Sequence, residues 1–232
     1  MTGPAIKSVL FDLDGTLLDH RGAADAAIAS WAAGRFPGHP RLAEVPALWA
    51  ALEEPYLAMW RAGRCTVGEQ RRLRLSALCA ELDVPAPGDL DAAYGEFLVR
   101  YRRSCRAFPD AADAVAELAG FALGVLTNGG QRAQEAKVRA IGLEGKVGPV
   151  LTGEVLAGRF KPDPEAYTRA AAALGLAPQE VLLVGDDVVK DVTGPAATGM
   201  RSVWLDRLDA GGGPEGFPRI TSLAGLAPLL RS

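Results

Sequence analysis

Two aspartates one residue apart follow a short apolar run near the start of the chain. In the stretch VLFDLDGTLLDH, residues 9–20, the run ends at Asp12 and Asp14, and a glycine and a threonine come next. One interpretation is a plain turn, because Asp and Gly are common where strands end. A calcium loop of the EF-hand type is excluded, because its sixth and twelfth positions would hold Leu17 and Ala23 instead of Gly and Glu.

Polar side chains also follow two later apolar runs. A lysine lies between these two runs, and a further aspartate follows the second. They are Thr127 and Asn128 after LGVL, Lys161 in GRFKPDPEAY, Asp186 and Asp187 after VLLVG, and Asp191 shortly afterwards. A cluster of carboxylates requires a hard divalent cation with oxygen ligands, and Mg²⁺ meets this requirement. A lysine, a threonine and backbone amides beside the metal would bind an anionic group. Brought together by the fold, these side chains would form a site for phosphoryl transfer.

The elements that must position these residues are apolar runs that alternate with helical stretches. The runs predict strands buried on both faces, at Ser8–Phe11, Ala122–Leu126, Val181–Val184 and Ser202–Leu205. The stretches between them predict helices, at residues 110–119, 131–141, 164–174 and 192–198. This alternation predicts an α/β fold with a doubly wound parallel sheet. Such sheets bind ligands beyond the carboxyl ends of their strands, which is where the polar side chains fall.

One interval interrupts the alternation. Between about residue 18 and residue 106 only helical segments are predicted, at residues 22–35, 46–61, 67–82 and 89–104. We therefore expect two domains, an α/β core formed by residues 1–17 and 107–232 and an inserted helical domain formed by residues 18–106. The insert holds 12 arginines against 11 acidic residues, a balance of +1. Most of these charges are therefore expected to lie on solvated helix faces and in ion pairs within the insert.

Composition limits the classes of partner. A net charge of −3 gives no electrostatic case for nucleic acid, and no apolar run is long enough to cross a bilayer. Three cysteines without a CxxC pair argue against a disulfide framework, and the N-terminus lacks the pattern of a signal peptide. We expect a cytoplasmic protein that acts on a small molecule. The sequence gives no indication of the oligomeric state.

The four polar segments, in their order and spacing, resemble the four motifs of the haloacid dehalogenase superfamily of phosphohydrolases. The resemblance covers residues 8 to about 205, and the helical insert resembles the C1-type cap of that family. It implies a Rossmann-like core with an inserted α-helical cap domain. It also implies Mg²⁺-dependent hydrolysis of a small phosphorylated metabolite through an aspartyl-phosphate intermediate.

The resemblance assigns the chemical steps to the first motif. Asp12 would be the nucleophile that attacks phosphorus. Asp14 would protonate the departing alkoxide and then deprotonate the water that hydrolyses the intermediate. The metal would be held by the carboxylates of Asp12 and Asp186 and by the backbone carbonyl of Asp14.

The other motifs would hold the phosphate and support the metal. By the same resemblance, the residues that bind the phosphate are Leu13, Thr127, Asn128 and Lys161, together with the two aspartates of the first motif. Lys161 would also neutralise charge on Asp12. Asp191 would orient metal waters or Lys161, and Asp187 would cap the next turn or touch a metal water.

Several alternatives remain open. Within the family, a phosphomutase would pass the phosphoryl group to a second hydroxyl, and a 2-haloacid dehalogenase would displace halide. Dehalogenases of this family lack an acid/base aspartate two residues after the nucleophile, so Asp14 argues against that reaction. Outside this class of enzyme, a phospho-receiver domain combines similar residues but is about half this length and has no DxDGT. A non-catalytic binding scaffold is the remaining alternative.

Overall fold

The structure is a computed structural model and describes residues 4–231. The chain forms two compact units, which are described separately. The first comprises the residues up to Asp19 and those from Arg106 onward, and the second comprises His20–Cys105.

The first unit is built on a six-stranded sheet in which all neighbouring strands are parallel, in the order β3-β2-β1-β4-β5-β6. The strands are β1 (Ser8–Phe11), β2 (Ala122–Thr127), β3 (Val150–Thr152), β4 (Val181–Gly185), β5 (Arg201–Leu205) and β6 (Arg219–Ile220). Strand β1 is buried along its whole length because it lies between β2 and β4. This arrangement confirms the predicted doubly wound α/β fold.

The helices divide between the two units. Those of the second unit are α1 (His20–Arg35), α2 (Val45–Ala51), α3 (Glu53–Arg61), α4 (Val67–Glu81) and α5 (Leu90–Ser104). Those of the first unit are α6 (Ala111–Glu117), α7 (Gln131–Ala140), α8 (Pro164–Ala173), α9 (Gly194–Ala196) and α10 (Leu226–Arg231), with a π-helical turn at Val188–Thr193. Short 3₁₀ turns lie at Leu42–Glu44, Pro178–Glu180 and Leu223–Gly225. None of the helices between residues 4 and 231 is long and apolar enough to span a membrane.

Two predicted helices differ from those observed. The helix predicted over 46–61 is interrupted at Leu52, because Pro55 has no N–H to donate and its ring would clash with the carbonyl four residues earlier. The helix predicted over 192–198 begins earlier, as the π-helical turn. There the Asp187 carboxylate accepts hydrogen bonds from the backbone amides of Val189 and Lys190 and starts the turn.

The second unit is a bundle with an aromatic core. Trp31 and Trp49 are each only 1% exposed, and the Trp49 ring packs against Phe97 at a centroid distance of 5.0 Å. Helix α4 begins with a capping box, in which Thr66 and Glu69 satisfy each other's backbone amides. The unit therefore has a hydrophobic centre of its own.

Several arginines of this unit pair with acidic side chains of the same unit. The pairs include Arg35 with Glu96, Arg61 with Glu54, and Arg72 with Asp91. The paired side chains are mostly on the surface of the bundle. Their arrangement agrees with the nearly even charge balance of the insert.

Candidate active site

Three carboxylates meet beyond the carboxyl ends of β1 and β4. Asp12 directly follows β1, Asp186 directly follows β4, and Asp191 lies in the π-helical turn. One oxygen from each lies within 4.8 Å of the other two. Asp12 and Asp191 are buried, whereas Asp186 keeps an exposed surface. The sheet thus brings together residues that are up to 179 positions apart in the sequence.

A single lysine pairs with two of these carboxylates. The Lys161 ammonium donates hydrogen bonds to Asp12 Oδ1 at 2.8 Å and to Asp191 Oδ1 at 2.6 Å. Lys161 is itself only 3% exposed, so the contacts are made out of reach of bulk water. One positive charge therefore faces three negative charges.

Burial and the excess of negative charge shift the pKa values of the site. Burial raises the pKa of Asp12 well above its ordinary value; Lys161 opposes this shift, while Asp191 and Asp186 add to it. Burial by surrounding atoms and the charge of Asp191 raise the pKa of Asp186 to about 6, although part of its side chain is open to solvent. Burial alone would lower the pKa of Lys161, but the charges of Asp12 and Asp191 outweigh it and raise that pKa.

These properties fit a hard divalent cation. The donor atoms are carboxylate oxygens, which Mg²⁺ prefers. A cation among them would favour the ionised form of Asp12, which the metal-free environment disfavours. Asp12 and Asp186 are therefore the candidate metal ligands, and Asp191 lies beside them while it holds Lys161.

Two glycines leave room for the carboxylates of the cluster to come this close together. Gly15 has φ +93°, and a Cβ at this position would lie 2.4 Å from Asp186 Oδ2. A Cβ at Gly185 would lie 2.3 Å from Asp191 Cγ. Any other residue at either position would displace a carboxylate of the cluster, so the glycine after Asp14 has a steric function as well as a turn function.

The carboxylate of Asp14 is held by helix α7. Lys137 Nζ donates to both of its oxygens, at 2.8 and 2.6 Å, and Gln134 Nε2 lies 3.3 Å from Oδ2. The same Gln134 amide donates to Thr127 Oγ1 at 2.6 Å. Gln134 and Lys137 thus connect the first and second motifs, and neither was predicted from the sequence. The only signal was their spacing of three on one helix face, which is also typical of a solvated surface.

Asn128 acts on the backbone of Lys161. Its Nδ2 donates to the Lys161 carbonyl at 2.5 Å, and its Oδ1 accepts from the Lys161 amide at 2.8 Å. The Asn128 side chain therefore positions Lys161. A contact between Asn128 and phosphate stays a prediction.

Two further predicted residues have local structural contacts. The side chain of Leu13 is fully buried, so a contact with phosphate would have to come from its backbone. Asp187 caps the π-helical turn and pairs with Lys190 at 2.7 Å. Burial opposes the shift, but the hydrogen bonds from Lys190 hold the pKa of Asp187 below its ordinary value. The capping role of Asp187 is observed, and its contact with a metal water stays a prediction.

Comparison with known proteins places the chain in a family. A family model described as haloacid dehalogenase-like hydrolase matches residues 6–199. Phosphoserine phosphatase of Thermus thermophilus is 40% identical over 126 residues, which are 53% of this chain and 50% of that protein. The chain thus spans half the length of this relative in the alignment.

A dehalogenase and a solved HAD-hydrolase are also similar to the chain. The (S)-2-haloacid dehalogenase of Xanthobacter autotrophicus is 31% identical over 191 residues, which are 78% of this chain and 68% of that protein. The HAD-hydrolase YfnB of Bacillus subtilis, solved with magnesium, superposes with a TM-score of 0.80. It is 22% identical, and the match covers 99% of this chain and 100% of that one. Similarity at this level supports the fold alone.

Proposed function

Because the chain belongs to the haloacid dehalogenase-like hydrolase family, we propose that it is a Mg²⁺-dependent phosphatase of a small phosphorylated metabolite. One observation carries the proposal. A second carboxylate, Asp14, follows the buried Asp12 by two residues and is held in place by Lys137. In its protonated form Asp14 can donate the proton that an alkoxide leaving group needs, whereas a halide leaves without one.

Asp12 is the nucleophile in this proposal. A carboxylate oxygen forms a bond to phosphorus while the bond between phosphorus and the alkoxide oxygen breaks, and an aspartyl-phosphate results. Asp14 gives its proton to that alkoxide oxygen. It then takes a proton from the water that attacks phosphorus, which releases inorganic phosphate and restores Asp12.

The remaining residues of the site bind and orient. Lys161 supplies positive charge next to Asp12, where the negative oxygens of the phosphoryl group would lie. Thr127 offers its hydroxyl and following amide to the phosphate, and Gln134 fixes that hydroxyl. Asp191 and Asn128 hold Lys161 at its ammonium and at its backbone.

The metal would be held by Asp12, Asp186 and the backbone carbonyl of Asp14. When bound, Mg²⁺ would shield the nucleophile from the charge of the phosphate and stabilise the phosphoryl oxygens. The close approach of the three carboxylates, two of which share the Lys161 ammonium, supports this assignment.

We extend the proposal to the second unit and to the setting of the enzyme. The helical unit His20–Cys105 would serve as the cap domain that the family places after its first motif. Cys65, Cys79 and Cys105 are free thiols, which supports a reducing compartment such as the cytoplasm.

Product release distinguishes the candidate reactions. The wild-type protein should release inorganic phosphate from one or more members of a panel of phosphomonoesters, and a chelator should abolish this release. It should release no chloride from 2-chloropropionate. Chloride release without phosphate release would establish a dehalogenase, and transfer of phosphate to a second hydroxyl of the substrate would establish a mutase.

Melting of the metal-free protein tests the electrostatics of the cluster. A carboxyl whose pKa is raised on folding costs stability as pH rises from its unfolded pKa to its folded pKa, because the folded state keeps the proton longer. For Asp186 this window runs from 3.8 to about 6. With chelator at about pH 7.5, Asp186→Asn should therefore melt at a higher temperature than wild type, and below about pH 4 the two should melt together.

Mg²⁺ provides the control for this measurement. Added at about pH 7.5, it should raise the melting temperature of wild type and leave that of Asp186→Asn nearly unchanged, because binding to the folded state stabilises it. Equal stabilisation of both proteins would contradict the assignment of Asp186 as a metal ligand.

A further inference from the structure

A half-buried arginine after β5 connects several parts of the first unit. The Arg207 guanidinium lies over the ring of Phe108, with Cζ 3.8 Å from the ring centroid. Its two terminal nitrogens donate to the two oxygens of Asp110, each at 3.0 Å. The side chain is only 16% exposed, so this fork is largely shielded from solvent. A planar, bidentate pair of this kind fixes orientation as well as distance.

Asp110 is also held by residues near the C-terminal end of the chain. Its Oδ2 also accepts from Ser222 Oγ at 2.7 Å and from the backbone amide of Leu223 at 2.8 Å. Burial opposes the shift, but these hydrogen bonds and those from Arg207 hold the pKa of Asp110 below its ordinary value. Arg207 is therefore anchored to a carboxylate that is itself fixed by the C-terminal segment.

The same guanidinium reaches the loop of the first motif. Arg207 donates to the Thr16 carbonyl at 2.6 Å. Thr16 is fully buried, and its hydroxyl donates to Asp186 Oδ1 at 3.3 Å. One residue thus separates Arg207 from a candidate metal ligand.

The contact lies where the chain passes between its two units. The amide of Phe108 donates to the Leu17 carbonyl at 2.9 Å, and Leu18 and Ala107 form an antiparallel bridge. Arg207 therefore touches both of these paired segments, through Thr16 on one side and Phe108 on the other.

We propose that Arg207 is a positioning residue for the metal site: it fixes Thr16, and the Thr16 hydroxyl orients Asp186. The inference rests on the proposed metal role of Asp186. It assigns a function to a residue that lies outside the four motifs. Hydrogen-bonding partners of metal ligands typically change metal affinity by about 10–100-fold when they are removed.

Metal binding by the chelator-treated protein tests this role without relying on turnover. By isothermal titration calorimetry, Arg207→Met should weaken Mg²⁺ binding about tenfold. Thr16→Val, which removes the hydroxyl and keeps the shape, should weaken binding in the same direction. The double variant should bind Mg²⁺ as tightly as the single Thr16→Val, because Arg207 acts on Asp186 only through the Thr16 hydroxyl.

Arg35 of the helical unit offers a control. Its guanidinium also donates to both oxygens of one carboxylate, that of Glu96, each at 3.0 Å, and its Cζ lies 5.3 Å from the centroid of the Trp31 ring. Arg35→Met should therefore lose an ion pair of the same kind while Mg²⁺ affinity stays at the wild-type value. Arg207→Lys keeps a charge that can reach Thr16 but loses the fork, and should give an intermediate affinity.

The outcomes separate this inference from the proposed function. Wild-type Mg²⁺ affinity in Arg207→Met, or an equal loss of affinity in Arg35→Met, would overturn the positioning role and leave the metal site intact. If Arg207→Met does not fold, Thr16→Val and Arg207→Lys still decide the question. Failure of the wild-type protein to bind Mg²⁺ would instead overturn the metal site itself.

Discussion

Asp12→Asn should lower the rate of phosphate release to below about a hundredth of the wild-type value, because an amide cannot attack phosphorus. The replacement keeps the size and shape of the side chain. Its carbonyl oxygen can still accept the hydrogen bond that Lys161 makes at 2.8 Å. Loss of activity would therefore report the missing nucleophile. The measurement is steady-state phosphate release from the best substrate of the panel.

An exposed aspartate of the same unit provides the control. Asp113 lies on helix α6 and is solvent-exposed, so Asp113→Asn should keep wild-type turnover and melting temperature. The melting temperature of Asp12→Asn in chelator should be at least as high as that of wild type, because the substitution removes one of three mutually repelling carboxylates. Turnover above about a hundredth of wild type in a folded preparation would mean that another group is the nucleophile.

The sequence was sufficient to predict the position of a site residue that directly follows a strand. Asp12 and Asp186 follow apolar runs that could only be buried strands, and parallel strands bring their carboxyl ends to one edge. The observed strands β1 and β4 lie next to each other, and the two carboxylates meet. This part of the site follows from hydrophobic pattern and topology alone.

Contacts made by helix faces could not be predicted in the same way. Gln134 and Lys137 lie on an amphipathic helix, where polar residues three apart are usually solvated. Whether such a face points to water or to Asp14 depends on how α7 is rotated against the sheet. Arg207 presents the same difficulty, since a lone arginine in a loop carries no signal until Thr16 and Asp110 are near it.

The two short strands were also missed, because they contain too few residues to show a pattern. Strand β3 has three residues and β6 has two, too few for a hydrophobic period to be recognised. They are ordered by pairing with the longer neighbouring strands β2 and β5. The sequence therefore predicted the central strands of the sheet and missed its edges.

Asp14→Asn should separate the two halves of the catalytic cycle. In the first half, the alkoxide of an alkyl phosphate needs a proton, whereas p-nitrophenolate leaves without one. General acid catalysis is typically worth about 10²–10⁴-fold, so turnover of an alkyl phosphate should fall by that factor. The first turnover of p-nitrophenyl phosphate should release p-nitrophenolate at close to the wild-type rate. This burst can be measured by stopped-flow absorbance.

The second half should be slow for both substrates, because the water that attacks the aspartyl-phosphate loses its base. The variant should therefore show a burst of p-nitrophenolate equal to the enzyme concentration, followed by slow steady-state release. The asparagine oxygen can still accept from Lys137, which lies 2.8 and 2.6 Å from the two carboxylate oxygens, so the loop should keep its place. If the first turnover falls equally for alkyl and aryl esters, Asp14 orients the site without transferring protons. The presence of Asp14 would then no longer argue against a dehalogenase.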